Sequence, residues 1–288
     1  MGRAPLVSAL LAAGSDPRAT DEYGSSPLQL SWALGERPAA HRIRECLVAA
    51  GADYLGSRRR YSSISPLEGA LHTGRRQELQ LYLDDLVRRA AAGRLPEGVA
   101  CTEAGDGGSA LRFVLHAAIE LKHSGLATFS AQLTAAWLGR NPAAARRLFG
   151  AAIAAGEAPL VARLLSLGGL SPHEAPADEP AVRPLQLAIQ HGQADCLSVL
   201  ISHGAVPVAE DVVASASAGS VACMRVLLRA GGPRLAGAAA GQGDVDERAH
   251  AGSAGCPFKA LLSTHRYRLL VRPLLSHCKA AGCSVHSS

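Results

Sequence analysis

The chain has 288 residues, 48% of them hydrophobic but only 4% aromatic, with 18% charged and a formal net charge of +5. It is too apolar for a disordered chain, and its 30 Gly follow no collagen period. No apolar run reaches the roughly 18 residues of a membrane-spanning helix, so a core of Ala, Leu and Val on closely spaced helices is expected.

In chain order, Leu6–Ala13 reads as a second helix standing without a first. Terminal units of a stack need a polar outer face. This one is apolar, which predicts a dimer contact, a replaced cap or a missing segment ahead of it. Pro5 and Asp16-Pro17 make it a poor secretory signal. Ser26-Pro27-Leu28 then opens a helix, because Ser caps free N–H groups and Pro loses nothing at the first helical position. The triplet recurs as Ser65-Pro66-Leu67, Arg183-Pro184-Leu185 and Cys256-Pro257-Phe258. Eight residues beyond each Pro stands Gly35, Gly74, Gly192 or His265. A spacing of twelve links Gly156 to Gly168, Gly192 to Gly204, Gly219 to Gly231, and His265 to His277. Apolar runs fill these intervals, so each unit is a pair of short helices ended by Gly in the left-handed conformation. Neither helix is long enough to stand alone, and each unit must bury its apolar face on the next.

Some units depart from the pattern. Gly35 and Gly51 are four residues further apart than the usual pair, around Arg37-Pro38. Ser109-Ala110-Leu111 lacks the Pro, and Trp137 is expected on a helix covering the core. The seventh unit follows its predecessor by only 27 residues, Gly192 to Gly219, too few for a hairpin between them. Gly- and Ala-rich loops are expected at 93–105 and 235–253.

These marks resemble the ankyrin repeat, about 33 residues long with a Thr-Pro-Leu-His-x-Ala signature. Residues Asp21 to Leu28 look like the family's hairpin-to-helix junction, and Gly51-Ala52-Asp53 looks like its Gly-Ala-Asp ending. No copy keeps the signature His, whose position holds Gln29, Glu68, Arg112, Gly150, Gln186 and Lys259. The resemblance implies an all-α solenoid of stacked helix–turn–helix repeats with short β-hairpins, near 18–25 and 53–62. It implies one domain over 1–288, with units near 1–20, 21–57, 58–92, 106–140, 141–172, 180–208, 209–234 and 254–284. It also implies a non-catalytic scaffold that binds another protein through its concave face and hairpin tips, with no cofactor.

The candidate binding residues follow from that placement. Arg58, Arg59 and Arg60 fall at a tip between Tyr54 and Tyr61, with Tyr23 at the preceding tip. Arg and Tyr are typical binding hot spots, and a solvated charge run is the bland reading of the same residues. Trp32 stands where the family has a small Ala, either as packing or as a concave-face anchor. Binding of nucleic acid or an acidic lipid surface through the Arg-rich tips stands as an alternative, nucleic acid being disfavoured because the positive charge is dilute and Asp84-Asp85 and Asp244–Glu247 interrupt it.

No catalytic residue is expected, since no nucleophile-elbow, phosphate-loop or zinc-protease motif occurs. His191, Asp195, Cys196 and His203 lie close together, but Cys196 and Cys223 occupy one repeated position, which argues core packing. Cys256, His265, His277, Cys278, Cys283 and His286 match no standard zinc spacing. Metal or enzymatic use of that cluster stands only as an alternative. Seven scattered Cys predict reduced thiols in the cytoplasm, with the nucleus also open to the chain.

Overall fold

The Ser-Pro signals start helices by the expected chemistry. In α2, Pro27–Leu30, Ser26 Oγ accepts the Gln29 N–H at 3.3 Å while Gln29 Oε1 accepts the Ser26 N–H at 3.0 Å. One 3-10 turn, Ser31–Leu34, extends it. Ser65 Oγ caps α4, Pro66–His72, through the Glu68 N–H at 3.1 Å. At Arg183 there is no hydroxyl, and Gln186 Oε1 accepts the Arg183 N–H at 3.3 Å to open α11, Pro184–Gln190. Gln29 and Gln186 each stand two residues after the Pro that opens the helix. Each satisfies a donor that the helix start would otherwise leave open.

The computed structural model describes residues 3–35, 37–56, 64–96, 98–100, 110–178 and 180–231. Arg58–Arg60, Tyr61, the expected eighth unit at 254–284, the 235–253 loop and the C-terminal Cys/His cluster lie outside them. The chain divides into two compact units, Met1–Leu148 and Phe149–Ser288. The described residues are helical, and none forms a strand. No helix among them is long and apolar enough to cross a membrane.

The first unit holds α1 (Ala4–Ala12), α2, α3 (Pro38–Ala49), α4, α5 (Arg76–Ala91), α6 (Leu111–Glu120), α7 (Leu126–Ser130) and α8 (Ala135–Arg140). It ends within α9 (Pro142–Ala155). The second unit continues with α10 (Ala158–Ser166), α11, α12 (Ala194–Ser202), α13 (Ala209–Ser217) and α14 at 221–231. Second helices pack on second helices, α1 on α3 and α3 on α5, and likewise α10 on α12. First helices pack on first helices, α4 on α6 and α11 on α13. Small side chains permit this approach: Ala70, Ala117 and Ala118 in the first unit and Ala188 in the second are fully buried, as are the larger Leu67, Leu83, Leu115 and Leu200 of the same units. Three of the four extra residues before Gly51 are absorbed in α3, which has 12 residues where α10 and α12 have 9, and the fourth lies between Gly35 and Pro38. That difference is about one helical turn.

Glycine ends the helices where its spacing placed it. At Gly192, φ is 68°, the Gln193 N–H reaches the Ala188 carbonyl at 2.8 Å, and the Gly192 N–H reaches Ile189 at 3.0 Å. This is a Schellman closure. The fourth repeat closes the same way with no glycine. Lys122 takes φ 50°, and the His123 N–H reaches the Ala118 carbonyl at 2.8 Å.

Of the expected β-hairpins, the one near 18–25 is not formed, and most of the one near 53–62 lies outside the described residues. At 21–25 the chain makes a tight turn, with the Asp21 N–H on the Ser25 carbonyl at 3.1 Å. Asp21 Oδ1 accepts the N–H groups of Tyr23 at 3.0 Å and Ser25 at 2.7 Å. The carboxylate thus takes donors that a facing strand would have used. Asp53 Oδ1 does likewise for Leu55 and Gly56 at 3.1 and 3.0 Å. Between α12 and α13 only residues 203–208 intervene, without a hairpin.

Candidate functional site

Among the described residues, eight of the eleven buried polar side chains lie in the second and third repeats. Arg44 on α3 and Glu78 on α5 are both fully buried and ion-paired. Arg44 also donates to Ser31 Oγ at 3.3 Å, Ser31 O at 3.1 Å and Gly35 O at 2.6 Å. It therefore ties the open end of the 3-10 turn to α3 and α5. Leaving either charge alone there would be strongly destabilising.

Next to this pair is an aromatic column. Tyr54 and Tyr82 stack at 4.8 Å with their planes 5° apart. The Tyr54 hydroxyl donates to Asp85 Oδ2 at 2.8 Å, and Asp85 is also paired with Arg88 and Arg89. The Arg89 guanidinium lies over the Tyr54 ring at 5.5 Å. Burial, and then the Asp85 charge, hold the Tyr54 phenol far above its usual range. Burial pushes the Tyr82 phenol up to about 12, partly offset by the neighbouring Trp32 indole N–H. Neither Trp32 Nε1 nor the Tyr82 hydroxyl makes a well-shaped hydrogen bond.

The structure divides the residues expected at the binding edge. Tyr23 is 60% exposed on the 21–25 turn. Tyr54 is not at an exposed tip, because its ring is sandwiched in the core and its hydroxyl is committed to Asp85. The reading of Tyr54 as a direct contact residue is therefore corrected. Trp32 is half-buried: its ring fills the space that Gly69 leaves on α4 and lies under Arg75 at 5.5 Å. Its first role is packing. Arg58, Arg59, Arg60 and Tyr61 lie outside the described residues.

Two residues that sequence reasoning passed over join Tyr23. Leu30 is 50% exposed and Leu34 47%, one helical turn apart on α2 and its 3-10 extension. Leu28 already supplies this helix's core contact and is fully buried. A second apolar pair at i, i+4 on so short a helix was the available signal.

The cysteines behave as packing residues. Cys196 and Cys223 are fully buried and unpaired. Burial, with Asp195 and Glu157 adding, pushes the Cys196 thiol up to about 12, the wrong direction for a nucleophile. Among the described residues no three His, Cys, Asp or Glu side chains come together as a metal site. In the second unit, Asp211 is fully buried, accepting the Val208 N–H at 2.9 Å and Arg183 Nη2 at 2.7 Å.

The sequence matches no protein-family model, and a comparison with curated proteins finds none similar to it.

Proposed function

We propose that the chain is a non-catalytic interaction module that binds another protein through the exposed edge of its second ankyrin-like repeat. The observation that carries this reading is the exposure of three large apolar side chains, Tyr23, Leu30 and Leu34, within a repeat whose Leu28, Ile43, Leu47 and Val48 are buried. A turn and a first helix offer these groups from one repeat, and Trp32 fixes that helix from behind. Grouped exposed apolar residues mark binding surfaces on soluble domains, and Tyr supplies large area with a polar end. Helix pairs packed first on first and second on second support the stacked-repeat reading. Arg58–Arg60 and Tyr61, which follow in the sequence, are further candidate contacts. Buried free thiols at Cys196 and Cys223 support a reducing, cytoplasmic setting.

The test is affinity capture with the full chain, quantified by mass spectrometry. It is repeated with a Tyr23→Ser/Leu30→Ser/Leu34→Ser variant and an Arg58–Arg60→Ala variant. A protein recovered by the parent chain and lost with the first variant supports the edge. Identical recovery by both variants contradicts it.

A further inference from the structure

The first unit contains a pocket of about 420 Å³ whose lining includes Arg18, Asp53, Tyr54, Leu55, Arg89 and Pro96. Two of these are guanidinium groups, each held in place by its inner nitrogen. Arg18 Nε donates to the Gly51 carbonyl at 2.8 Å, and the Arg18 backbone N–H is fixed on Asp16 Oδ1 at 2.8 Å. Arg89 Nε is ion-paired with Asp85, and its guanidinium carbon lies over the Tyr54 ring at 5.5 Å. Tyr54 is in turn clamped by Tyr82 and by its bond to Asp85. Among the described residues, no hydrogen bond engages the terminal nitrogens of either guanidinium. Both forks are therefore preorganised with donors to spare, the geometry that recognises a planar anion.

We infer that this pocket binds a carboxylate, gripped by Arg18 and Arg89. The charge balance selects among anions. Asp53 lines the pocket, and Asp85 stands behind Arg89. Arg88 also pairs with Asp85, so three guanidinium charges face two carboxylates; a single carboxylate matches the one net positive charge, and the second charge of a phosphate dianion is left unmatched. Asp53 cannot turn away, because its Oδ1 holds the N–H groups of Leu55 and Gly56. Leu55 and Pro96 give the carboxylate's carbon stem an apolar wall. The carboxylate can come from a peptide side chain or from a free organic acid. The site stands without the apolar edge and goes beyond the protein-binding reading. It also gives Tyr54 a role other than direct contact, as the platform that aims Arg89.

The experiment is an NMR titration of the full chain with three probes: a blocked Ala-Glu-Ala peptide, butyrate and inorganic phosphate at pH 7.5. Saturable shifts at the Arg18, Leu55 and Gly56 amides are expected with a carboxylate probe. The peptide alone responding assigns the ligand to a protein chain, and butyrate responding assigns it to small organic acids. Arg18→Gln should weaken binding about tenfold, the scale of one charge-assisted hydrogen bond. Arg89→Lys should weaken it similarly while keeping the charge over Tyr54, so that loss of fold is not mistaken for loss of the fork. No saturable shift with either carboxylate would overturn the assignment. So would phosphate binding as tightly as a carboxylate, or Arg18→Gln leaving the affinity unchanged.

Discussion

Replacing Gly69 by Ala should destabilise the protein, against the ordinary behaviour of a helical glycine. Gly69 lies inside α4 and is fully buried. In an open helix the change would stabilise by about 1 kcal/mol, because Ala has the better helix propensity. Here a Cβ would overlap the distal edge of the Trp32 ring. That ring cannot simply swing aside: Arg75 lies over it at 5.5 Å, and its Nε1 is buried next to Tyr82. Overpacking of this kind costs about 1–3 kcal/mol, so the net effect should be a loss of about 1 kcal/mol. Urea unfolding followed by circular dichroism reads it. The decisive arm repeats the change in a Trp32→Leu background, where the obstacle is gone and Ala should stabilise. The two backgrounds should then differ by about 1–3 kcal/mol, the coupling expected of residues in contact. A stabilising Gly69→Ala in the parent chain, or the same effect in both backgrounds, would refute the reasoning.

Other outcomes follow from the same structure. Lys122→Gly should stabilise by about 0.5–1 kcal/mol, since φ 50° strains a residue with a Cβ; urea unfolding measures it. Arg183→Ala should destabilise the second unit by about 1–3 kcal/mol at pH 7, because it strips a buried carboxylate of its partner. Burial raises the Asp211 pKa, so the native state holds that proton more tightly than the unfolded chain does. The cost of its charge is present above the unfolded pKa of about 3.9 and is relieved as pH falls. The Arg183→Ala defect should therefore shrink between pH 7 and pH 4 in parallel urea series. Cys196 should resist alkylation at pH 8 in the native protein and react on unfolding, as its thiol is pushed up to about 12. Peptide-resolved mass spectrometry checks this against half-buried Cys46.

The regular part of this architecture was legible because its physics is local. Ser65 caps a helix three residues away, and Gly192 ends one through bonds spanning a single turn. Such signals need only a few neighbouring residues, so their spacing along the chain reveals the helix pairs. The same locality explains why no strand forms at 21–25. Asp21 closes its turn with its own carboxylate, and no sequence pattern distinguishes that from the start of a ladder. Lys122 does a glycine's work without a glycine's signature. The binding residues were harder still. Tyr54 looked like a tip residue because it sits beside a run of arginines, but its fate is set by Asp85 and Tyr82, which only the fold brings to it. Arg44 is in the same position: its partner Glu78 is on another repeat, 34 residues on. Pairings across repeats decide which polar residues are core and which are surface, and they leave no local trace.

The proposal as a whole rests on the exposed edge of the second repeat. Its most direct test is the affinity of the captured protein, remade pure, for the parent chain and for the Tyr23→Ser/Leu30→Ser/Leu34→Ser variant by titration calorimetry. Exposed positions of this kind change stability by only about 0.5 kcal/mol each, so the variant should melt close to the parent. Binding should weaken by about thirtyfold or more if one of the three is a hot spot, and further if two are. An unchanged dissociation constant in a folded variant would contradict the account.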